Sequence, residues 1–149
     1  MVKSLRTTSK YFLYFFPNLF LIALAYILSP IFATWSMKHG STLPMPWKLF
    51  STLNGTLDGG IEQNVKGFDP NAKGFKLWYQ RCRWTWRNPC NGFQSEVFGL
   101  KDYKDGFTIK RDIKLFGNYN IKLWVGWDNR RKGGNYYPYM FQFKPQKKD

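Results

Sequence analysis

Three hydrophobic patterns follow one another along the chain. From Tyr11 to Met37 no side chain is charged ("YFLYFFPNLFLIALAYILSPIFATWSM"). The run exceeds the about 20 apolar residues that cross a ~30 Å hydrocarbon layer. Lys3, Arg6 and Lys10 precede it, and Lys38 and His39 follow. Tyr11, Tyr14, Tyr26 and Trp35 suit interfacial positions. The pattern predicts an anchor helix over residues 1–39, with Tyr11, Phe15, Phe20, Ile27 and Trp35 as anchoring residues. Pro17 and Pro30 each remove a backbone donor, so a spanning helix and a segment re-entering on one side both fit its length. A signal peptide fits the basic start and the "ALA" at 23–25, but apolarity continues to Phe32, past any cut there. A buried core helix fits poorly, because the segment has no polar stripe.

Residues 40–66 read as an extended linker arm. Pro44 and Pro46 forbid a regular helix through them, Asn54-Gly55 and Asp58-Gly59-Gly60 mark turns, and one short helical turn fits around 46–53. "FDPNAKGFKLWYQRCRWTWRNP" then predicts a helix over 70–88, capped by Asp69, with Pro70 in its first turn and Asn88-Pro89 as its stop. Phe75, Trp78, Tyr79, Cys82 and Trp86 fall on one face, expected to be core. Trp84 falls among Arg81, Arg83 and Arg87 on the other. Asn91-Gly92 turns the chain, and "FQSEVFGL" adds a helical turn or a short strand.

From residue 105 the period is two. Phe107, Ile109, Ile113 and Leu115 share one side, interrupted by Arg111. Tyr119, Ile121, Leu123, Val125 and Trp127 share a side of the next run. Tyr137, Tyr139, Phe141 and Phe143 share a side of the third. Short connections between three such runs predict an antiparallel meander with one buried side. Pro138 places the third strand at an edge, the helix of 70–88 is the expected cover, and "KPQKKD" reads as a solvated tail. The fold class is therefore α+β: an N-terminal transmembrane or anchor helix (1–39), a linker (40–66), and a small domain (67–149) of one basic aromatic helix packed on a three-stranded antiparallel meander.

Charge adds a direction to this picture. The chain has 23 Lys+Arg against 9 Asp+Glu, a net charge of +14, and 20% aromatic residues. Such a balance attracts phosphate, whether of nucleic acid or of lipid headgroups. It also suits a main domain facing the anionic cytoplasmic leaflet. Arg81, Arg83, Trp84 and Arg87 on the helix, with Arg130, Arg131 and Lys132 in the loop after the second strand, form the candidate binding surface, since arginine and tryptophan are common interface anchors.

Candidate chemistry is sparse. Two cysteines, Cys82 and Cys90, and one histidine, His39, fall short of the about four ligands a zinc site needs and imply no disulfide framework. No Walker loop, G-x-G-x-x-G or G-x-S-x-G is present. Asp102 and Asp105 pair only in a lysine-rich turn. The expectation is a non-enzyme with no cofactor, metal or catalytic residue. Nucleic-acid binding remains a rival, because cations beside exposed rings also grip single strands, although no recognisable module is present. An accessory subunit of a larger membrane complex is a third reading.

The order of short motifs carries a resemblance. "AYILSPIFA" leads into "LPMPWKLFSTLNGTLDGG", then "RWTWRNPCNGF", then "LWVGW". Over most of residues 20–145 this resembles a family of small tailed-bacteriophage proteins known mainly as a domain of unknown function. Its members are similar in an N-terminal hydrophobic segment, an "LDGd"-like stretch, a "W-x-x-RNP-x-x-x-F" block and a C-terminal "GW" strand. This chain departs in "LDGG" and in "NPCNGF". The resemblance implies a phage-encoded protein and carries over no catalytic residues. With the anchor, it leads to the expectation of a membrane-anchored accessory protein that meets anionic headgroups and binds an unidentified host or phage protein, in host takeover, counter-defence or superinfection exclusion.

Overall fold

The computed structural model describes residues 2–129 and 136–147. The apolar run folds as one helix, α1 (Val2–His39), which continues through Pro17 and Pro30. By its contacts the chain forms two compact units, Met1–Tyr14 with Gln94–Asp149, and Phe15–Phe93.

In the Phe15–Phe93 unit, α1 buries Asn18, Ala25, Ser29, Phe32, Ala33 and Ser36 along one stripe. These residues are mostly small, so the following chain approaches the helix closely. Residues 40–66, expected as an extended arm, instead fold onto it. They form a 3-10 turn at Trp47–Phe50 and a short helix, α2 (Gly59–Glu62). Leu43 N–H donates to Gly55 O at 3.0 Å and Leu57 N–H to Ser41 O at 2.8 Å, closing the loop on itself. Ala25, Phe32, Leu43, Phe50, Leu57 and Cys90 make the core of this unit.

The basic aromatic helix is α3 (Gly74–Arg87), four residues shorter at its start than expected. Asp69 does not cap it. Its carboxylate accepts the N–H of Asn71 at 2.9 Å and pairs with Lys76, which holds Pro70–Ala72 in a turn. Gly74 then adopts φ +55, left-handed geometry that glycine takes without steric cost. The expected stop is in place: α3 ends at Arg87, and Asn88 N–H returns to Trp84 O. After Pro89, Cys90 takes φ +60. Its N–H reaches Phe50 O at 3.2 Å, and Gly92 N–H reaches Ser51 O at 3.0 Å. A Cβ on Gly92 would meet Leu49 Cα at 2.6 Å, so "NPCNGF" is a clasp on the 47–51 turn.

The buried face of α3 is the reverse of the expected one. Gln80, Arg81, Cys82, Trp84 and Thr85 are buried. Of the anticipated core residues only Cys82 is; Phe75 and Tyr79 are exposed and Trp78 and Trp86 half-buried. The physical reason is what α3 packs on. Its neighbours are α1 and the Asp58-Gly59-Gly60 turn, which supply a carboxylate and carbonyl for Arg81 and a Cβ-free surface for Trp84.

The other unit holds the meander. Strands β1 (Thr108–Lys114), β2 (Tyr119–Trp127) and β3 (Tyr139–Lys147) pair antiparallel in the order β1-β2-β3. The register matches the period-two reading: Ile109 faces Val125, Ile113 faces Ile121, and Trp127 faces Tyr139. β3 is an edge strand. It runs on through Lys144 and Pro145, residues expected in a solvated tail. An edge position tolerates Pro145, whose missing N–H costs no ladder bond on the open side.

Residues 70–88, expected as the cover of this sheet, belong to the other unit; one end of the sheet is covered instead by Tyr11 of α1. Its ring stacks on Tyr139 at 4.5 Å and meets Trp127 edge-on at 5.5 Å, and its hydroxyl donates to Met140 O at 2.9 Å. Trp127 Nε1–H donates to Phe98 O at 2.9 Å. Burial concentrates at this end. Toward the far end of the same face Ile113, Tyr119 and Phe143 are exposed, and Ile109, opposite Val125 on the edge strand β1, is exposed as well. On the opposite face Trp124 is buried beneath Lys110 and Lys122, whose ammonium groups lie 4.4 and 5.6 Å from its ring.

Candidate interaction surface

The residues singled out from sequence separate into interior and surface. Arg81 is 7% exposed. Its Nε and Nη2 donate to the two carboxylate oxygens of Asp58, each at 2.8 Å. Its Nη1 donates to Ser36 O at 2.9 Å and lies 3.1 Å from Ser36 Oγ. Such a planar fork is the geometry guanidinium offers a carboxylate. Arg81 thus ties α3 to the last turns of α1 and to the turn before α2. Trp84 is 3% exposed. A Cβ on Gly59 would sit 2.5–2.7 Å from its indole, and one on Gly60 would run into the Phe68 ring. Both residues, expected on the contact surface, are interior, and the "LDGG" turn and the "RWTWR" helix are the two halves of one packed joint.

Arg83 and Arg87 do reach the surface. Arg83 is half-buried, donates to Gly67 O at 3.1 Å, and lies over the Phe68 ring at 4.9 Å. Arg87 is exposed. Arg130, Arg131 and Lys132 lie outside the described residues. The sheet adds cations the sequence reading left unassigned: Lys110, Arg111 and Lys122 line a shallow hollow of about 340 Å³ with Asp112 and Gln146. The alternation of Lys110 with Ile109 and of Lys122 with Ile121 and Leu123 was the available signal for the two lysines; Arg111 shares the side of Ile109 and Ile113 and gave none.

The anchoring residues divide likewise. Tyr11 is buried against the sheet and Trp35 is half-buried, stacked on His39 at 4.8 Å. Phe15 is half-buried, whereas Phe20 and Ile27 are 64% and 67% exposed. In the Phe15–Phe93 unit, Phe16, Leu19, Phe20, Ile27 and Ile31 form an outward face opposite the buried stripe of Asn18, Ala25, Ser29 and Ser36. Only 22% of the most apolar window of α1 is buried, far from the all-round burial of a core helix. The helix is long and apolar enough to cross a membrane.

A second row of rings borders that face. Phe75, Trp78 and Tyr79 stack on α3, and Trp86 meets Tyr79 edge-on. Trp78 Nε1–H donates to Thr34 Oγ1 at 3.0 Å, and Tyr26 hydroxyl donates to Trp86 O at 3.1 Å. Thr34 and Tyr26 are exposed residues of α1. These two bonds set α3 antiparallel beside α1, with its ring row at the margin of the outward face.

Both thiols are interior and unbonded to each other. Burial pushes Cys82 up to about 11 and Cys90 up to about 12, the direction opposite to an activated nucleophile. Among the described residues no three of His, Cys, Asp and Glu converge.

Comparison with curated proteins and with solved structures finds no match. A family model does match, over residues 3–106. That span contains α1, the Asp58–Gly60 turn and α3, the elements joined by Arg81, and stops short of β1. By this match the chain belongs to a family of unknown function, DUF7338.

Proposed function

We propose that this protein is a phage-encoded, membrane-anchored accessory protein that acts by binding a host or phage protein at the membrane face. The site of action is the inner membrane of the host, with the main domain on the cytoplasmic side. Host takeover, counter-defence and superinfection exclusion are the roles this chemistry serves. The observation that carries the reading is the outward face of α1. Phe16, Leu19, Phe20, Ile27 and Ile31 point away from the protein, while the fully buried stripe is mostly small and hydroxyl residues with Phe32 among them, unlike a water-soluble helix, which turns its large apolar side chains inward. The basic excess supports the side, because cations within a Debye length of anionic lipid add attraction. The lysines of the sheet remain for the partner.

Flotation of the full-length chain on a density gradient tests the reading. The protein is expected to rise with membranes and to resist carbonate washing. Phe20→Glu with Ile27→Glu is expected to shift it to the soluble fraction while leaving the fold intact, since both side chains point outward. A wild-type chain that stays soluble without detergent and binds no vesicles would end the proposal.

A further inference from the structure

We infer that the Phe15–Phe93 unit sits in the plane of an anionic lipid surface, with α1 half-sunk rather than crossing, and with the ring row of α3 dipping in beside it. The inference rests on the membrane reading and specifies its geometry.

The first argument is length. In this unit the folded chain covers one side of α1 from Leu21, which packs on the core of Leu43, Phe50, Leu57 and Cys90, as far as Ser36, which holds Arg81. Carrying that stretch across a bilayer would draw the Arg81–Asp58 pair, Thr56 and Glu62 to hydrocarbon depth, where polar groups are costly. The charge-free helix before it, Tyr11 to Phe20, is ten residues, about 15 Å at 1.5 Å per residue, and Tyr11 and Asn18 within it are themselves buried. That is about half of the hydrocarbon thickness. No stretch of α1 is therefore both uncharged and uncovered for long enough to span.

The second argument is the composition of the surface. Phe16, Leu19, Phe20, Ile27 and Ile31 provide a deep apolar strip. Phe75 (77% exposed) and Tyr79 lie next to it on α3, and aromatic rings favour the interfacial layer. Arg87, exposed, and Arg83, half-buried over Phe68, make the next row around α3, level with phosphate, while Lys76 on the same row is paired with Asp69. Apolar strip, ring row and cation row in sequence is the order an interfacial helix presents to a membrane. The cations select an anionic lipid face over a second copy of this equally basic surface.

Topology decides it. In full-length chain expressed in bacteria, Ser9→Cys and Lys38→Cys place single accessible thiols at the two ends of α1, both exposed positions. The native thiols are buried, so the parent chain is the blank. A membrane-impermeant maleimide is applied to spheroplasts and to inverted inner-membrane vesicles. Both ends are expected to label in the same preparation and neither in the other. Labelling of the two ends in opposite preparations overturns the in-plane geometry and leaves the membrane reading standing. Absence of the chain from both membrane preparations overturns both. The ring row is tested separately with Phe75→Ser/Tyr79→Ser on vesicles of phosphatidylcholine and phosphatidylglycerol. Losing two partly inserted rings is expected to weaken binding roughly tenfold or more. Unchanged vesicle binding, or self-association through this face without lipid binding, overturns the placement of α3.

Discussion

Asp58→Ala isolates the joint between "LDGG" and "RWTWR". In the native chain Asp58 accepts two hydrogen bonds from Arg81 at 2.8 Å, and the two side chains are 9% (Arg81) and 22% (Asp58) exposed. Removing one partner of a buried pair costs roughly 3–5 kcal/mol, because the other charge stays behind. Two features reduce that here. Arg81 keeps Ser36 O and Oγ as acceptors, and solvent reaches the Asp58 side. The expected loss is about 2–3 kcal/mol. Arg81→Met replaces the guanidinium with an apolar chain beside Met37 and leaves Asp58 at the water's edge, so the double variant is expected to cost less than the sum of the singles by about 1–2 kcal/mol. Urea unfolding of the full chain in mild detergent, followed by tryptophan fluorescence, reads all four corners of the cycle. A shift below about 0.5 kcal/mol for Asp58→Ala, the size typical of a surface change, or an additive double variant, would refute the argument. If Arg81 were a contact residue for a partner, Arg81→Met would lose that partner with its unfolding midpoint unchanged.

Gly59→Ala puts a methyl 2.5–2.7 Å from the buried Trp84 ring and is expected to cost about 1–3 kcal/mol as overpacking; adding Trp84→Phe removes the struck ring atoms and should recover part of the midpoint. Stability is expected to fall as pH rises above about 8.5, where unfolded thiols ionise, because the fold holds Cys82 and Cys90 neutral until about 11 and about 12. The unfolded chain binds fewer protons in that window, so the loss is about 1.4 kcal/mol per pH unit per thiol, and Cys82→Ala/Cys90→Ala should flatten the pH profile of the unfolding midpoint. Tyr11→Ala removes the stacked ring over Tyr139 and is expected to destabilise the sheet unit by about 3–5 kcal/mol, read as faster hydrogen exchange in β2 and β3.

The meander was legible because its signals are local. Alternation of Phe107, Ile109, Ile113 and of Ile121, Leu123, Val125, with Gly117-Asn118 between, sets strand, turn and register at once. The end of β3 was not, since Pro145 with Lys144, Gln146 and Lys147 looks like a tail unless β2 is known to extend opposite them, as Tyr119 does opposite Lys147. The cover of the sheet was illegible for a different reason. Tyr11 and the rings of α3 are equally good candidates by composition, and only tertiary packing chooses between them. The outer face of α3 was misassigned by a rule that usually works, rings in and charges out. Arg81 breaks it because Asp58 and Ser36, 23 and 45 residues away, make an interior arginine stable.

The same inversion governs α1, and it was present in the residues. Asn18, Ala25, Ser29 and Ser36 recur at intervals of seven, four and seven, the spacing of one helix face. Read for a polar stripe of charges, the segment shows none. Read for small and hydroxyl residues that admit a neighbouring backbone, it shows a continuous one, the composition helices use where close approach replaces hydrophobic burial. Ser29 Oγ donates to Tyr26 O and Ser36 Oγ to Ala33 O, so these hydroxyls enter the interior with their donors already used. A helix whose small side faces its own protein leaves its large side for another apolar phase. A soluble fold with this arrangement would expose Phe16, Phe20, Ile27 and Ile31 to water in one contiguous strip, the arrangement that soluble monomers avoid. Under the membrane proposal the burial pattern of α1 counts for more than its length, and the Arg81 joint on the covered side is what would limit how far the helix sinks.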